Sequence, residues 1–145
     1  MKKIIFIILT LLWMIVIFSF SAKTASDSTV ESMFITTRLI KLFINNPPQN
    51  LLDITETVVR KTAHFTEYAI LGILMYNLFR SFNVSAKKSF FAVAVCFLYA
   101  VSDEIHQYFV PGRACRFLDM LIDTAGSAFG SALSILTGKI YSKKG

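Results

Sequence analysis

Long apolar runs at residues 4–20, 62–79, 89–109 and 117–137 dominate the pattern of this chain. At about 1.5 Å of rise per residue, a helix over each covers roughly 26 to 31 Å, matching a hydrocarbon core of about 30 Å. The pattern predicts an all-α fold, an integral membrane bundle of four transmembrane helices. Little chain is left for anything else, so residues 1–145 read as a single membrane domain without internal repeats.

The one long connection, residues 21–60, changes character twice. Residues 21–32 are rich in Ser, Thr and Ala and suit a hydrated link. Val30, Met33, Phe34, Thr37, Ile40 and Ile44 then recur at helical spacing, with Glu31, Arg38 and Lys41 off the stripe. This predicts a short amphipathic helix lying on the interface or capping the bundle. Asn45-Asn46-Pro47-Pro48 stops it, and Asp53-x-x-Glu56 predicts the start of the next helix.

Charge then orients the bundle. The net charge of +6 is not arranged for nucleic acid. Lys2 and Lys3, then Arg80, Lys87 and Lys88, then Lys139, Lys143 and Lys144 all fall on one side if the chain crosses four times. The positive-inside rule makes that side cytoplasmic, with both termini there. The opposite side carries Lys23, Arg38, Lys41, Arg60, Lys61, Arg113 and Arg116, offset by acids in the same segments. Residues 1–22 also have the layout of a signal peptide, but the apolar run exceeds the usual 7 to about 15 residues, which favours a retained first helix. Cys96 and Cys115 lie at different depths and predict no disulfide.

Polar groups enter three of the runs at the same end. On a helix over residues 62–79 and the turns before it, Arg60, Lys61, His64, Glu67 and Tyr68 share an arc of about 120°. Asp103, His106 and Gln107 share a stripe at the end of the third run, with Glu104 turned about 100° away. Asp119 and Asp123 share a face near the start of the fourth with Gly126 and Gly130, whose spacing allows close helix approach. Ionisable groups are costly in hydrocarbon and mark functional sites by default. We therefore expect one outward-facing site, its candidate catalytic residues being His64, Glu67, Asp103, His106 and Asp123. Arg60, Lys61, Gln107, Arg113, Arg116 and Asp119 are the candidate binding residues.

Three chemistries suit that set. Lys61, Arg113 and Arg116 can hold an anionic headgroup, Arg by paired hydrogen bonds. His64-x-x-Glu67 and Asp103-x-x-His106, with Asp119 or Asp123, can supply a divalent metal site, although no spacing is diagnostic. His64 beside a carboxylate can act as a general base. The chain has no Gly-rich phosphate loop, HExxH or GxSxG, and no motif that names a cofactor.

Arg60-Lys61-x-x-His64-Phe65-x-Glu67-Tyr68-Ala69-x-Leu71-Gly72, Asp103-Glu104-x-His106-Gln107-x-Phe109-Val110-Pro111-Gly112-Arg113 and Asp119-x-x-x-Asp123-x-x-Gly126 occur in this order. With Phe18-Ser19-Phe20-Ser21, they make the chain resemble the VanZ-like family of bacterial membrane proteins. The resemblance implies a multi-pass protein of the bacterial cytoplasmic membrane acting in the cell envelope and in resistance to glycopeptide antibiotics, teicoplanin in particular. It implies neither an established mechanism nor an enzyme. Combined with the polar stripes, it favours binding of an outer-leaflet anionic lipid or cell-wall precursor. The alternative is a membrane-embedded enzyme, metal-dependent or not, that modifies such a molecule. A transporter fits least, since no span is interrupted by Gly or Pro near its middle.

Overall fold

The structure, a computed structural model, describes residues 2–84 and 87–142. Residues 85 and 86 of the predicted cytoplasmic loop, with Lys143 and Lys144, lie outside them, as does the Lys139 side chain. Among the described residues the fold is all-α: α1 Lys2–Ser21, α2 Ala25–Lys41, α3 Gln49–Ser81, α4 Lys88–Tyr108 and α5 Phe117–Ser142.

Among the described residues, three helical segments are long and apolar enough to cross a membrane: α1, α4 and Phe117–Gly138 of α5. The run at residues 62–79, expected as a further span, lies within α3 and does not qualify. Its position explains the lower apolarity. α3 packs against each of the other four helices, so it has the least surface to offer to lipid and can carry His64, Glu67 and Asn77.

The core follows from that centrality. Ile17 of α1, Tyr68, Leu71, Met75 and Tyr76 of α3, and Ala92, Cys96 and Ala100 of α4 form one buried cluster. Around it, Ile4, Leu11 and Ile15 of α1, Phe90 and Leu98 of α4, and Leu118, Phe129 and Leu136 of α5 face outward. Exposed apolar surface of that extent needs a partner, and a bilayer supplies one. Cys96 is buried and Cys115 exposed, both as free thiols.

The broadest contact, between α3 and α5, uses backbone against backbone. A Cβ on Gly126 would run into the Phe65 carbonyl oxygen, and one on Gly130 into that of Ala69. Hydrogens at these positions let the helix axes close up, as the glycine spacing predicts. The hydroxyl of buried Ser131 then donates to the Gly72 carbonyl at 3.3 Å. α1 is tied in separately: Trp13 Nε1 donates to the Glu67 carbonyl at 2.9 Å, and the Tyr99 hydroxyl to the Met14 carbonyl at 2.7 Å.

The long connection differs from expectation in two ways. α2 begins at Ala25, inside the stretch read as a hydrated link, because Thr24 Oγ1 accepts the Asp27 N–H at 3.2 Å and caps the helix. Its buried face is Ser32, Thr36 and Ile40, while Val30 and Phe34 of the expected apolar stripe are exposed. α2 thus turns a largely polar face to the protein. Likewise α3 begins at Gln49, immediately after Pro48, earlier than the Asp53-x-x-Glu56 signal. Those two acids serve elsewhere: Asp53 accepts from Gln49 Nε2 at 2.9 Å, and Glu56 accepts from the Ser32 hydroxyl at 2.6 Å.

Candidate functional site

The polar stripes meet at the end of the bundle that holds the turn between α4 and α5. Arg113 N donates to the Val110 carbonyl at 3.1 Å, and Gly112 sits at φ 77°, the left-handed conformation that a Pro-Gly turn of this kind requires. The Pro111 carbonyl accepts the Ala25 N–H at 3.2 Å, which fastens the turn to the start of α2.

Two side chains then lock the turn in place. Arg113 Nε donates to the Lys23 carbonyl at 2.9 Å, and a terminal nitrogen reaches the Phe20 carbonyl at 3.4 Å. Phe20 lies in the last turn of α1 and Lys23 just beyond it, so the cation also suits the negative end of that helix. Burial and the Arg60 charge lower the Arg113 pKa from its usual value, against support from Asp103, Glu104 and Glu67. On the other side, fully buried Glu104 accepts the Arg116 main-chain N–H at 2.8 Å, placing a carboxylate at the start of α5. Glu104 was absent from the expected site; its presence in an apolar span was the available signal.

A cavity of about 170 Å³ opens between α3, the turn and the start of α5. Its charged lining is Arg60, Lys61, Arg113 and Arg116 with Glu56 and Asp119, and His64 and Gln107 contribute to the wall. Some of these charges are already engaged. Lys61 Nζ pairs with Asp119 Oδ1 at 2.8 Å, and Arg60 lies 3.6 Å from Glu56. Among the described residues Arg116 enters hydrogen bonds only through its main chain, the N–H donating to Glu104 and the carbonyl accepting from Asp119, so its guanidinium is the least committed of the four.

A second cavity, about 250 Å³, lies between α1, α2 and α3. Arg60, His64 and Arg113 line both cavities, and Glu67 lines the second alone. Phe20, Ile35, Val59 and Ala63 give this one a more apolar wall.

Beneath these cavities lies a buried acidic layer. His64 Nδ1 is 3.8 Å from Oδ1 of Asp123, a fully buried residue whose two carboxyl oxygens hydrogen-bond to no described group. Asp103 accepts from Gln107 Nε2 at 3.1 Å through one oxygen, and the Ser21 hydroxyl stands beside its carboxyl group. The hydroxyl of Tyr68, fully buried near Asp103 and Asp123, likewise bonds to no described group.

The expected residues therefore divide into four sets. Arg60, Lys61, His64, Gln107, Arg113, Arg116 and Asp119 share one cavity; Glu67 lines its neighbour; Asp103 and Asp123 lie buried. His106 lines neither cavity and instead packs its ring on Phe18, centroids 4.5 Å apart. Among the described residues, no three His, Cys, Asp or Glu side chains gather as a metal ion would require, so the sequence-level metal set does not fit.

No curated protein and no solved structure matches the chain. The family model described as VanZ/LLP1 matches residues 6–138. The match takes in α1 from its second turn, the whole turn end of the bundle and nearly all of α5, so this chain belongs to the VanZ/LLP1 family.

Proposed function

We propose that the chain is a single four-span domain of the bacterial cytoplasmic membrane, with both termini inside, and that its turn end binds an anionic headgroup in the outer leaflet. In this reading α3 crosses the membrane together with α1, α4 and α5. Its polar residues are affordable because other helices, not lipid, surround them. The ligand is an anionic lipid or a lipid-linked cell-wall precursor, and its capture lowers the action of glycopeptides such as teicoplanin.

The observation that carries this reading is the cavity wall, on which four cations outnumber two acids. A wall of that sign in a low-dielectric setting attracts phosphate or carboxylate far more strongly than the same charges in water. Arg116 supplies the fork-shaped guanidinium best suited to two parallel hydrogen bonds. Susceptibility testing provides the check. Expression in a teicoplanin-sensitive bacterium should raise tolerance, and Arg116→Ala should remove the gain at unchanged membrane abundance. A gain that follows abundance alone, whichever cavity residue is changed, contradicts the binding reading.

A further inference from the structure

We propose that His64 and Asp123 hold two protons as one neutral pair, one between Nδ1 and Oδ1 and one on Nε2, so that the imidazole offers an N–H donor to the anion in the cavity. The proposal rests on the reading of that cavity as an anion site and adds a recognition element that carries no net charge.

Asp123 projects from α5 into the interface with α3 and is fully buried. Neither of its oxygens has a hydrogen-bond partner among the described residues, and its closest basic group is His64 Nδ1 at 3.8 Å. That separation is longer than a hydrogen bond and closes to one with a small turn of either side chain. His64 Nδ1 is itself buried and hydrogen-bonds to no described group, while the side chain as a whole stays 25% exposed. The ring therefore points one nitrogen at a carboxyl group and leaves the other open to the cavities it lines.

Charge accounting then fixes the proton count. An isolated carboxylate buried in an apolar layer is expensive. Asp123 shares the buried layer with Asp103 and Glu104, and among the described residues His64 is the one basic group within 4 Å of it. Arg60, Lys61 and Arg113 share a cavity wall with His64 and oppose a further positive charge there, partly offset by Asp119 on the same wall. A pair with one shared proton satisfies both demands, whether that proton is drawn on oxygen or on nitrogen. The remaining proton must then sit on Nε2, where it favours an anion. A bare Nε2 would instead present a lone pair to the anion and repel it.

The chain has only two histidines, which makes the test direct. In His106→Gln protein, ¹⁵N-histidine labelling leaves a single imidazole for NMR in lipid nanodiscs. Binding is measured in parallel by titrating phosphatidylglycerol against a phosphatidylcholine background. The expected spectrum shows Nε2 protonated and Nδ1 hydrogen-bonded, with Nε2 shifting as phosphatidylglycerol is added. Asp123→Asn should keep Nε2 protonated, because the amide can donate to Nδ1. His64→Leu should weaken binding roughly tenfold or more, as expected for one hydrogen bond to a charged group. His64→Gln, which restores a donor, should recover part of the loss. A bare Nε2 with the proton on Nδ1 overturns the pair, and Asp123→Asn losing the Nε2–H does so independently. Protein that binds no phosphatidylglycerol, yet shows the paired spectrum, defeats the anion reading and not the pair.

Discussion

Arg113 Nε donates to the Lys23 carbonyl at 2.9 Å, so a residue of the turn between α4 and α5 closes the end of α1. The same guanidinium reaches the Phe20 carbonyl at 3.4 Å and still forms part of both cavity walls. Lysine offers one compact ammonium and cannot span both carbonyls from that backbone position. Arg113→Lys should therefore lower stability by about 1 to 2 kcal/mol, the low end for hydrogen bonds involving a charged group because the site is partly exposed. Thermal unfolding in detergent reads this out. Arg116→Lys should leave the unfolding temperature unchanged, since only the main chain of Arg116 is engaged.

Glu104 is the counterpart of Arg113 on the other side of the turn. Its role is to accept one main-chain N–H at 2.8 Å, which a neutral amide oxygen can also do. Glu104→Gln should fold like the parent protein. Glu104→Ala leaves the Arg116 N–H and the start of α5 without that acceptor and should cost about 1 to 3 kcal/mol. Equal stability of the Gln and Ala variants contradicts the cap.

Gly130 tests the contact between α3 and α5. A methyl group there meets the Ala69 carbonyl oxygen, which is held within a helix and cannot yield cheaply. Gly130→Ala should destabilise by about 1 to 3 kcal/mol, the usual range for overpacking, and more if the helices separate. Ala128 is exposed on the same helix, so Ala128→Leu should be tolerated. Recovery of monodisperse protein after detergent extraction distinguishes the two.

These contacts also show how far the sequence carries. Apolar runs at membrane length place α1, α4 and α5, and Gly126 with Gly130 identifies the face on which α5 approaches α3, because both signals are periodic and local. The convergence of Arg60, Lys61, His64, Gln107, Arg113, Arg116 and Asp119 is legible too, since a short Pro-Gly turn leaves few ways to connect the helices. Partner choice within that group is not legible. Arg113 engages main-chain carbonyls 90 residues away in sequence, a contact to which residue identity at Lys23 contributes nothing. His106 belongs to the same stripe as Asp103 yet packs on Phe18, because one stripe spans more than one neighbouring helix. The early start of α2 was readable from Thr24-x-x-Asp27, a capping signal hidden in a stretch whose composition resembles a loop.

Orientation has its own test. Cys115 is exposed in the turn and Cys96 is buried, so an impermeant maleimide should label intact cells at Cys115 without further substitution. Labelling should vanish in Cys115→Ser. Reaction only after the membrane is opened would place the turn inside and reverse the topology.

The most direct measurement of the central claim is native mass spectrometry of the protein extracted gently from its own membrane, with bound lipids identified. The account predicts enrichment of an anionic lipid or lipid-linked precursor over its share of the surrounding membrane, and loss of that enrichment in an Arg60→Ala, Arg116→Ala double variant that still folds. Bound lipid that mirrors the bulk membrane, or anionic enrichment that survives in the double variant, contradicts the assignment of the cation-lined cavity as the binding site.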